Sequence, residues 1–348
     1  MLSCEQDIEF TTISLINLPE VSETFRIDEG CYEEVFVLDS FLIMMARCDD
    51  YKIHVYDKNN LKFITKFGTA GQGPCDFNVA KPLQNSSSSL NSNNIILFDT
   101  RLFQLKTVNL NKLLSNENIA NCVFSAPVDR DLRYMREINK LGESKFAAVG
   151  MSNYGKEGLF VIMDTLTKEN QWIEFLPKKR MPDRYKRLVY YGFLGANSDK
   201  NSIIYASRYF DQILFYDMKG QLKNRHVFSK LKMPELSKQY SGPVFESIYY
   251  SVYMYASPNY CFVFRLNQNP PPEGEDEHVY RHPTQLLVYN WDGVLVKAFE
   301  IPVSLSSFNF LCYDDEFGYL YLSDRSTEEN DMYETVRKIK IGDYLRTN

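Results

Sequence analysis

The chain repeats one pattern of short strands six times, and this repeat limits its fold more than any other feature. In each repeat an apolar strand ends in a polar cluster, a second strand ends in a polar residue, and a turn leads to a third strand. The residues that close the second of these strands are Asp57, Asn109, Asp164, Asp217, Asn290 and Lys340. Their spacings are 52, 55, 53, 73 and 50 residues, and an insertion at residues 267–280 explains the long one. A period near 50 residues built of short strands is typical of β-propeller blades.

A propeller blade needs four strands, and a strand before each repeat can supply the innermost one. These predicted innermost strands are residues 33–39, 79–84, 132–139, 187–194, 248–256 and 308–314. The last repeat then lacks an outermost strand, whereas the strand-like residues 9–18 have no partner. We therefore predict an all-β fold: one six-bladed β-propeller of four-stranded blades over residues 9–348, with the amino-terminal strand completing the last blade. Closing the ring in this way leaves no open edge between the first and last blades.

Composition narrows the class of protein further. The 348 residues are 44% hydrophobic, which excludes a disordered chain. The net charge of −6 argues against nucleic acid as a partner, because binding phosphates needs a basic face. No apolar run approaches the ~20 residues of a membrane-spanning helix. We expect a monomer that meets a membrane only through a lipid anchor.

Residues 66–77, KFGTAGQGPCDF, join the first repeat to the second. Glycine tolerates positive φ, so Gly68, Gly71 and Gly73, followed by Pro74, predict a sharply turned structural link between blades. A phosphate-binding loop is not indicated, since no Gly-Lys-Ser/Thr and no helical pattern follow.

This link, with the preceding KIHVYDKNNLKFIT, resembles the NHL repeat. It is still more similar to the TolB-like six-bladed propellers of bacteria, in which the link usually reads GQGPGEF. Here Gly71, Gln72, Gly73, Pro74 and Phe77 fit that pattern, while Cys75 and Asp76 replace Gly-Glu. Members of that group are often exported lipoproteins, so the resemblance implies export.

The first four residues, Met1-Leu2-Ser3-Cys4, resemble the end of a lipoprotein signal, in which Cys4 would carry the lipid. The basic segment and apolar run of a complete signal do not precede it in this sequence. An ordinary chain start is the alternative. Together with the family resemblance, the motif predicts a tail over residues 1–8 and a lipid-anchored protein of the bacterial cell envelope, in the periplasm or on the outer-membrane surface. The remaining cysteines are expected to be mostly free thiols, because no pair has CxxC spacing.

Arginine recurs at nearly the same position in five of the six repeats, in the loop between the second and third strands, and the third repeat has Lys156 nearby. The candidate ligand-binding residues at the channel mouth are Arg47, Arg101, Tyr154, Arg208, Arg265 and Arg325. Guanidinium groups match carboxylate, sulfate or phosphate in a bidentate way. We therefore expect either an anionic or carbohydrate-like ligand or an acidic protein partner on this face. The alternative is that each arginine pairs with an aspartate such as Asp49, Asp99, Asp211 or Asp324 and ties neighbouring blades together.

Six tyrosines fall on the predicted innermost strands: Tyr190, Tyr191, Tyr249, Tyr250, Tyr253 and Tyr255. Strand alternation would point about half of them into the channel, where tyrosine suits sugars. Packing between blades is the alternative.

Catalysis has weaker support in the sequence. His54 and His226 fall on strands and are expected at the surface or at an edge, and His278 and His282 lie in a proline-rich loop. No GxSxG motif is present. We expect a non-enzymatic binding module without cofactor. The alternative is a lactonase-like, metal-dependent hydrolase or lyase that holds one divalent cation such as calcium in the channel, with Glu137, Asn139 and Asp314 as candidate ligands.

Overall fold

The computed structural model shows an amino-terminal segment followed by six four-stranded units. It describes residues 10–27, 32–46, 49–71, 73, 75–78, 80–83, 94–99, 101–115, 123–128, 132–152, 157–236, 247–266, 284–302, 305, 308–328 and 331–346. Two strands precede the first unit: β1 (Ile16–Asn17) and β2 (Val21–Ile27). The Cys4 prediction, the insertion at 267–280, and His278 and His282 all lie outside the described residues.

In the first four units, each sheet is antiparallel and its strands follow one another along the chain; the last two sheets also take a strand from the amino-terminal segment. The first two sheets contain β3 (Tyr32–Leu38), β4 (Phe41–Ala46), β5 (Tyr51–Asp57), β6 (Phe63–Thr69), β7 (Ala80–Pro82), β8 (Asn94–Asp99), β9 (Gln104–Asn109) and β10 (Val123–Pro127). The next two contain β11 (Leu132–Lys140), β12 (Lys145–Ser152), β13 (Val161–Asp164), β14 (Asn170–Trp172), β15 (Gly192–Asn197), β16 (Ser202–Ser207), β17 (Gln212–Tyr216) and β18 (Leu222–Val227).

The last two sheets complete the ring of blades. They contain β19 (Ser251–Ala256), β20 (Tyr260–Arg265), β21 (Gln285–Asn290), β22 (Leu295–Glu300), β23 (Phe308–Asp314), β24 (Tyr319–Glu328) and β25 (Asp331–Lys340). Among the described residues, three short helices connect or follow strands: α1 (Leu110–Leu114), α2 (Asp183–Val189) and α3 (Gly342–Leu345). The predicted six-bladed β-propeller with four-stranded blades is therefore confirmed.

An amino-terminal strand closes the ring, as predicted, but it is not the expected one. β2 pairs antiparallel with β25 and supplies the fourth strand of the last blade. The expected residues 9–18 instead run along the blades before it: the Thr11 N–H donates to the Val227 carbonyl at 2.7 Å, and β1 adds a parallel fifth strand beside β22. The outermost strand of a blade is half exposed and can be polar, so the true closing strand, VSETFRI, is less conspicuous in the sequence than the apolar run before it.

The predicted innermost strand at residues 187–194 is wrong in its first half. Helix α2 ends at Val189, and the strand begins only at Gly192. Tyr185 and Val189 are the buried residues of α2, four positions apart on one helical face. Tertiary packing of this apolar pair therefore stabilises a helix in the link between the third and fourth blades.

The core lies between the blades, because each sheet packs against its neighbours on both faces. All six residues of β15 and all six of β16 are buried. One buried cluster joins the last two blades to the first and includes Phe262, Tyr321 and Leu42. Cys261 and Cys312 are buried free thiols in these interfaces, as expected of small apolar residues. A strand of this fold therefore carries apolar residues on both faces.

The glycine-rich link is held by residues on both sides of it. Gly68 has a φ of 80°, and a Cβ there would lie 2.5 Å from the Phe77 ring. The Asp76 carboxylate accepts the Gly73 N–H at 2.9 Å, and the buried Lys106 ammonium donates to the carbonyl oxygens of Gly73 and Asp76. Pro74 lies outside the described residues. The link thus has the tightly turned geometry that the glycines require.

Candidate functional site

The loops between second and third strands and the links between blades lie on one face, here called the upper face. Of the six predicted site residues, the structure describes Arg101, Arg208, Arg265 and the backbone of Arg325. Arg47 and Tyr154 lie outside the described residues. Arg325 was predicted in a loop, but it is inside β24, where its backbone is opposite Glu334. The polar sequence around Arg325 forms the ten-residue arms of a hairpin, since backbone hydrogen bonds can pair a polar strand as well as an apolar one.

Arg265 ties two blades together. It ends β20 and is 5% exposed; its Nε and Nη2 donate to Asp211 Oδ1 at 3.0 and 2.8 Å, and Nη2 also donates to Oδ2 at 2.7 Å. Its Nη1 donates to Gln285 Oε1 at 2.6 Å. Asp211 belongs to the fourth blade and Arg265 to the fifth. The inter-blade tie that the sequence left open is therefore the arrangement found at Arg265.

Arg101 lies in the turn between β8 and β9 with an exposed side chain. Asp99, the aspartate expected to pair with it, is fully buried and accepts backbone hydrogen bonds instead. Its Oδ1 accepts the N–H groups of Arg101 and Leu102, both at 3.0 Å, and its Oδ2 accepts that of Asn78 at 2.9 Å. Asp99 therefore stabilises the turn and the blade link, and leaves the Arg101 guanidinium facing solvent.

Arg208 belongs to a group of cations and aromatic rings at the upper end of the channel. Its guanidinium carbon lies 4.2 Å from the Tyr249 ring centroid and 5.5 Å from that of Tyr191. Arg136, on the innermost strand β11, lies 5.7 Å from the same Tyr191 ring. We call Arg136, Tyr191, Arg208 and Tyr249 the mouth cluster. Its two guanidinium groups flank one phenol ring, an arrangement that cation–π attraction favours.

The charge of the mouth cluster is not neutralised by a described carboxylate within 4 Å. The Nε of Arg208 is buried and has no hydrogen-bond partner within the described part of the chain. Burial raises the pKa of Tyr191, while the positive charges of Arg136 and Arg208 act in the opposite direction. A buried donor without an acceptor is unfavourable, so an anion placed here would gain both charge pairing and a hydrogen bond.

Glu137 follows Arg136 and lies deeper in the channel. Its φ is 49°, in the left-handed region that few residues other than glycine adopt, and the pairing of β11 with β12 shifts register on either side of Arg136. Burial raises the pKa of Glu137 to about 7, although the positive charges of Lys81 and Arg136 favour its ionised form. A small cavity of about 30 Å³ lies beside it, lined also by Glu34 and Lys81.

A larger cavity of about 250 Å³ opens beside the mouth cluster, between α2 and the third blade. We call it the helix cavity. Its lining includes the apolar residues Leu159, Phe175 and Leu188 and the arginines Arg136 and Arg187. The sequence did not predict this cavity, because part of its wall is helix α2, and the repeat pattern predicts a strand from residue 187. The i, i+4 spacing of Tyr185 and Val189 was the signal that could have found it.

The opposite end of the channel, the lower face, has a cavity of about 250 Å³ with an acidic wall. Lys58 Nζ lies 3.3 Å from Asp314 Oδ2 and 2.8 Å from Glu316 Oε2, so it bridges the first and last blades. Burial raises the pKa of the adjacent Asp315 to about 6. Asp314 is thus engaged in an ion pair between blades.

The three candidate metal ligands line different cavities, Glu137 and Asn139 the small one and Asp314 the lower one. Asn139 Nδ2 donates to the carbonyls of Glu137 and Leu194 at 3.0 and 2.8 Å, which ties β11 to β15, and Asp314 lines the lower cavity. No group of three or more His, Cys, Asp or Glu side chains suited to a metal occurs within the ranges that the structure covers.

The two described histidines differ in burial. His54 was expected at the surface or at an edge but is 1% exposed; its Nδ1 lies 2.9 Å from the Tyr32 hydroxyl, and its Nε2 lies 3.1 Å from Asp49 Oδ2. Neighbouring blades cover both faces of its sheet, so strand alternation does not expose it. His226 lies on the outermost strand β18, and burial lowers the pKa of both histidines.

The predicted tyrosines have several roles. Tyr253 and Tyr255 on β19 line the lower cavity, Tyr191 and Tyr249 belong to the mouth cluster, and Tyr190 stacks on Phe175 beside the helix cavity. Within the described segments, no helix is long and apolar enough to span a membrane.

Solved structures that share this fold include two Bacteroides proteins. A member of the DUF4221 family from Bacteroides vulgatus superposes with a TM-score of 0.58 at 14% identity, over 93% of this chain and 99% of its own. The second is a protein from Bacteroides fragilis whose name describes it as a candidate exported protein. It superposes with a TM-score of 0.55 at 11% identity, over 95% of this chain and 99% of its own. No family model and no curated protein matches the sequence. At these identities the similarity shows the fold alone.

Proposed function

We propose that this protein is a non-enzymatic binding module that takes an anionic or polyhydroxylated ligand at the mouth cluster on its upper face. The observation that carries the proposal is Arg208, whose guanidinium lies against two tyrosine rings and whose buried Nε has no hydrogen-bond partner among the residues that the structure describes. Loops on a rigid scaffold are where binding residues are usually placed. The proposed module uses no metal or other cofactor.

The ligand would be recognised by charge and by flat surfaces together. The guanidinium groups of Arg136 and Arg208 would donate hydrogen bonds to carboxylate, sulfate or phosphate oxygens, and the tyrosine hydroxyls and ring faces suit a sugar ring. Of the predicted arginines, Arg265 is already paired with Asp211 and is not part of this proposal.

Titration calorimetry with sulfate, citrate and glucuronate tests the proposal, using the wild type, Arg208→Ala and Arg346→Ala. Arg346 is exposed beside α3, at the lower face, and serves as a charge-matched control. Because a hydrogen bond to a charged group contributes about 1.5–3 kcal/mol, Arg208→Ala should weaken binding about tenfold or more. Arg346→Ala should bind like the wild type. Equal affinities in all three proteins, or no binding of any anion to the wild type, would contradict the proposal.

The proposal also places the protein in the bacterial cell envelope, anchored through a lipid on Cys4. Support comes from the Leu2-Ser3-Cys4 motif, the resemblance of the link at residues 66–77 to TolB-like and NHL propellers, and the name of the Bacteroides fragilis structure. Labelling with radioactive palmitate in the host bacterium tests this part. Label in the wild type that is absent from Cys4→Ser is expected, and an unlabelled wild type would exclude the anchor.

A further inference from the structure

The helix cavity adjoins the mouth cluster and differs from it in chemistry. Leu159 is fully buried at its base, and Phe175, half-buried, stacks on Tyr190 with ring centroids 4.6 Å apart. Leu188 of α2 is 37% exposed at the cavity wall, although an apolar side chain is more stable when covered. This part of the cavity therefore suits an apolar group.

The lining of the helix cavity is also charged. It includes Arg136, which also belongs to the mouth cluster, and Arg187. Glu157 is part of the lining at 20% side-chain exposure, 3.8 Å from Lys186 Nζ, and burial raises its pKa. The lining thus combines apolar residues, two arginines and one carboxyl group.

The volume of the cavity limits what can enter it. About 250 Å³ is close to the lower end of ligand pockets in proteins and is large enough for one ring. The apolar side chains of the lining favour a hydrocarbon ring over a sugar, because a sugar hydroxyl placed against them would lose its hydrogen bonds to water.

We propose that the helix cavity binds the ring of a small aromatic carboxylate, whose carboxylate is held by Arg136. This inference rests on the proposed function, because Arg136 and Tyr191 belong to both sites. It adds the ligand class: an acid with a single apolar ring, inserted between α2 and the third blade. The Glu157 carboxylate would accept a hydrogen bond from a hydroxyl group carried by such a ring.

Benzoate, acetate, glucuronate and benzyl alcohol, titrated separately and followed by NMR shifts of the protein, test this inference. Burying one phenyl ring contributes on the order of a tenfold gain or more, so benzoate should bind at least about tenfold more tightly than acetate. Benzyl alcohol, which keeps the ring but lacks the charge, should bind more weakly than benzoate.

Two tryptophan variants separate the ring site from the anion site. Leu188→Trp places a bulky side chain at the cavity wall from a partly exposed helix position, which should leave the fold intact. The Leu188→Trp variant should bind benzoate only as tightly as acetate, and its affinity for acetate should equal that of the wild type. Leu166→Trp, at an 80% exposed turn between β13 and β14, is the matched control and should have no effect.

The outcomes distinguish the two proposals. If small anions bind in the manner of the proposed function but benzoate gains nothing over acetate, or if Leu188→Trp changes neither, only the aromatic acid inference fails. If glucuronate binds more tightly than benzoate, the cavity prefers a sugar ring to an apolar ring, and the inference is also overturned. If no anion binds at all, both proposals fail together.

Discussion

Arg265 and Arg208 belong to the same sequence pattern, yet their surroundings in the structure are opposite. Arg265 has a buried carboxylate and an amide as partners, whereas Arg208 has two aromatic rings and a buried Nε with no hydrogen-bond partner among the described residues. Their positions in the repeat differ by one residue: Arg265 is the last residue of β20, whereas Arg208 follows Ser207, the last residue of β16. Successive residues of a strand point to opposite faces of the sheet, so Arg265 meets Asp211 of the preceding blade, and Arg208 meets tyrosines of the links before β15 and β19.

Asp211→Ala should destabilise the propeller strongly, because it leaves the Arg265 guanidinium buried without its counter-ion. Removing one partner of a buried ion pair costs about 3–5 kcal/mol. Chemical unfolding by urea measures the change. The double variant Asp211→Leu with Arg265→Met should regain most of the lost stability, since no isolated charge remains. A single variant as stable as the wild type would show that the pair does not hold the blades together.

Titration of the Glu137 carboxyl should lower the free energy of unfolding as pH rises towards neutrality. Its pKa in the folded protein is about 7, above the usual value of 4.5, so the folded state binds the proton more tightly than the unfolded state. The associated stabilisation is fully present below pH 4.5 and is lost as pH rises through 7. Because the side chain is partly exposed, about 1–2 kcal/mol is expected.

Glu137→Gln isolates this effect, since glutamine does not titrate. Relative to the wild type, the variant should gain stability between pH 4.5 and 7, measured as the difference in unfolding free energy at each pH. A difference that is constant across this range would mean that the Glu137 carboxyl titrates normally. Other groups, such as His54, cancel in this comparison because both proteins contain them.

At the scale of the structural element, the link between the first two blades shows how a local sequence sets geometry. Gly68 adopts a positive φ, and the Lys106 ammonium holds the carbonyl oxygens of the turn that follows. The glycines of this link were readable from the sequence because only glycine tolerates such backbone angles easily. The hydrogen bonds from Lys106 could not be predicted from the sequence, since Lys106 lies on a strand of the next blade.

Gly68→Ala should lower stability by about 2 kcal/mol or more, because alanine is strained at this φ and its methyl group would overlap the Phe77 ring. Thermal unfolding measures the loss. Gly142→Ala is the matched control: no atom lies within 4 Å of its added methyl group, so its melting temperature should stay close to that of the wild type. Equal melting temperatures for the two variants would contradict the account of the link.

Helix α2 shows where sequence interpretation failed at this scale. The repeat pattern predicted a strand from residue 187, and the period was correct, but seven residues from Asp183 form a helix. A propeller link can contain such an insertion without changing the sheets around it. That single helix creates the helix cavity, so the error affected the prediction of the site far more than that of the fold.

At the scale of the whole molecule, the two ends of the chain meet in the last blade. β2 and β25 pair over the full length of β2, from Val21 opposite Ile339 to Ile27 opposite Glu334. β1 and Thr11 add contacts to the two preceding blades. The amino-terminal segment therefore crosses three blades before the first blade begins.

Deletions from the amino terminus should have opposite effects on folding, depending on whether they keep or remove β2. A chain that starts at residue 19 loses only the short β1 pairing and the contacts before it, and should remain folded and monomeric. A chain that starts at residue 28 loses the closing strand and exposes the edge of β25, so it should unfold or aggregate. Size-exclusion chromatography and circular dichroism distinguish these results. A monomeric, folded product from the longer deletion would show that closure is dispensable.

The sequence by itself determined the class of fold, the number of blades and the position of the glycine link. These features depend on period, strand pattern and glycine, each of which acts within a few residues. Sequence also indicated that an amino-terminal strand closes the ring, because the last repeat lacked its fourth strand.

Only the tertiary structure decided which strand closes the ring, which arginine is already paired, and where a ligand could enter. Asp211 and Arg265 are 54 positions apart, and Arg136 and Arg208 meet the Tyr191 ring from different blades. Charge pairing, burial and cavity shape depend on which side chains from separate blades face each other. That juxtaposition arises only when the sheets pack around the channel.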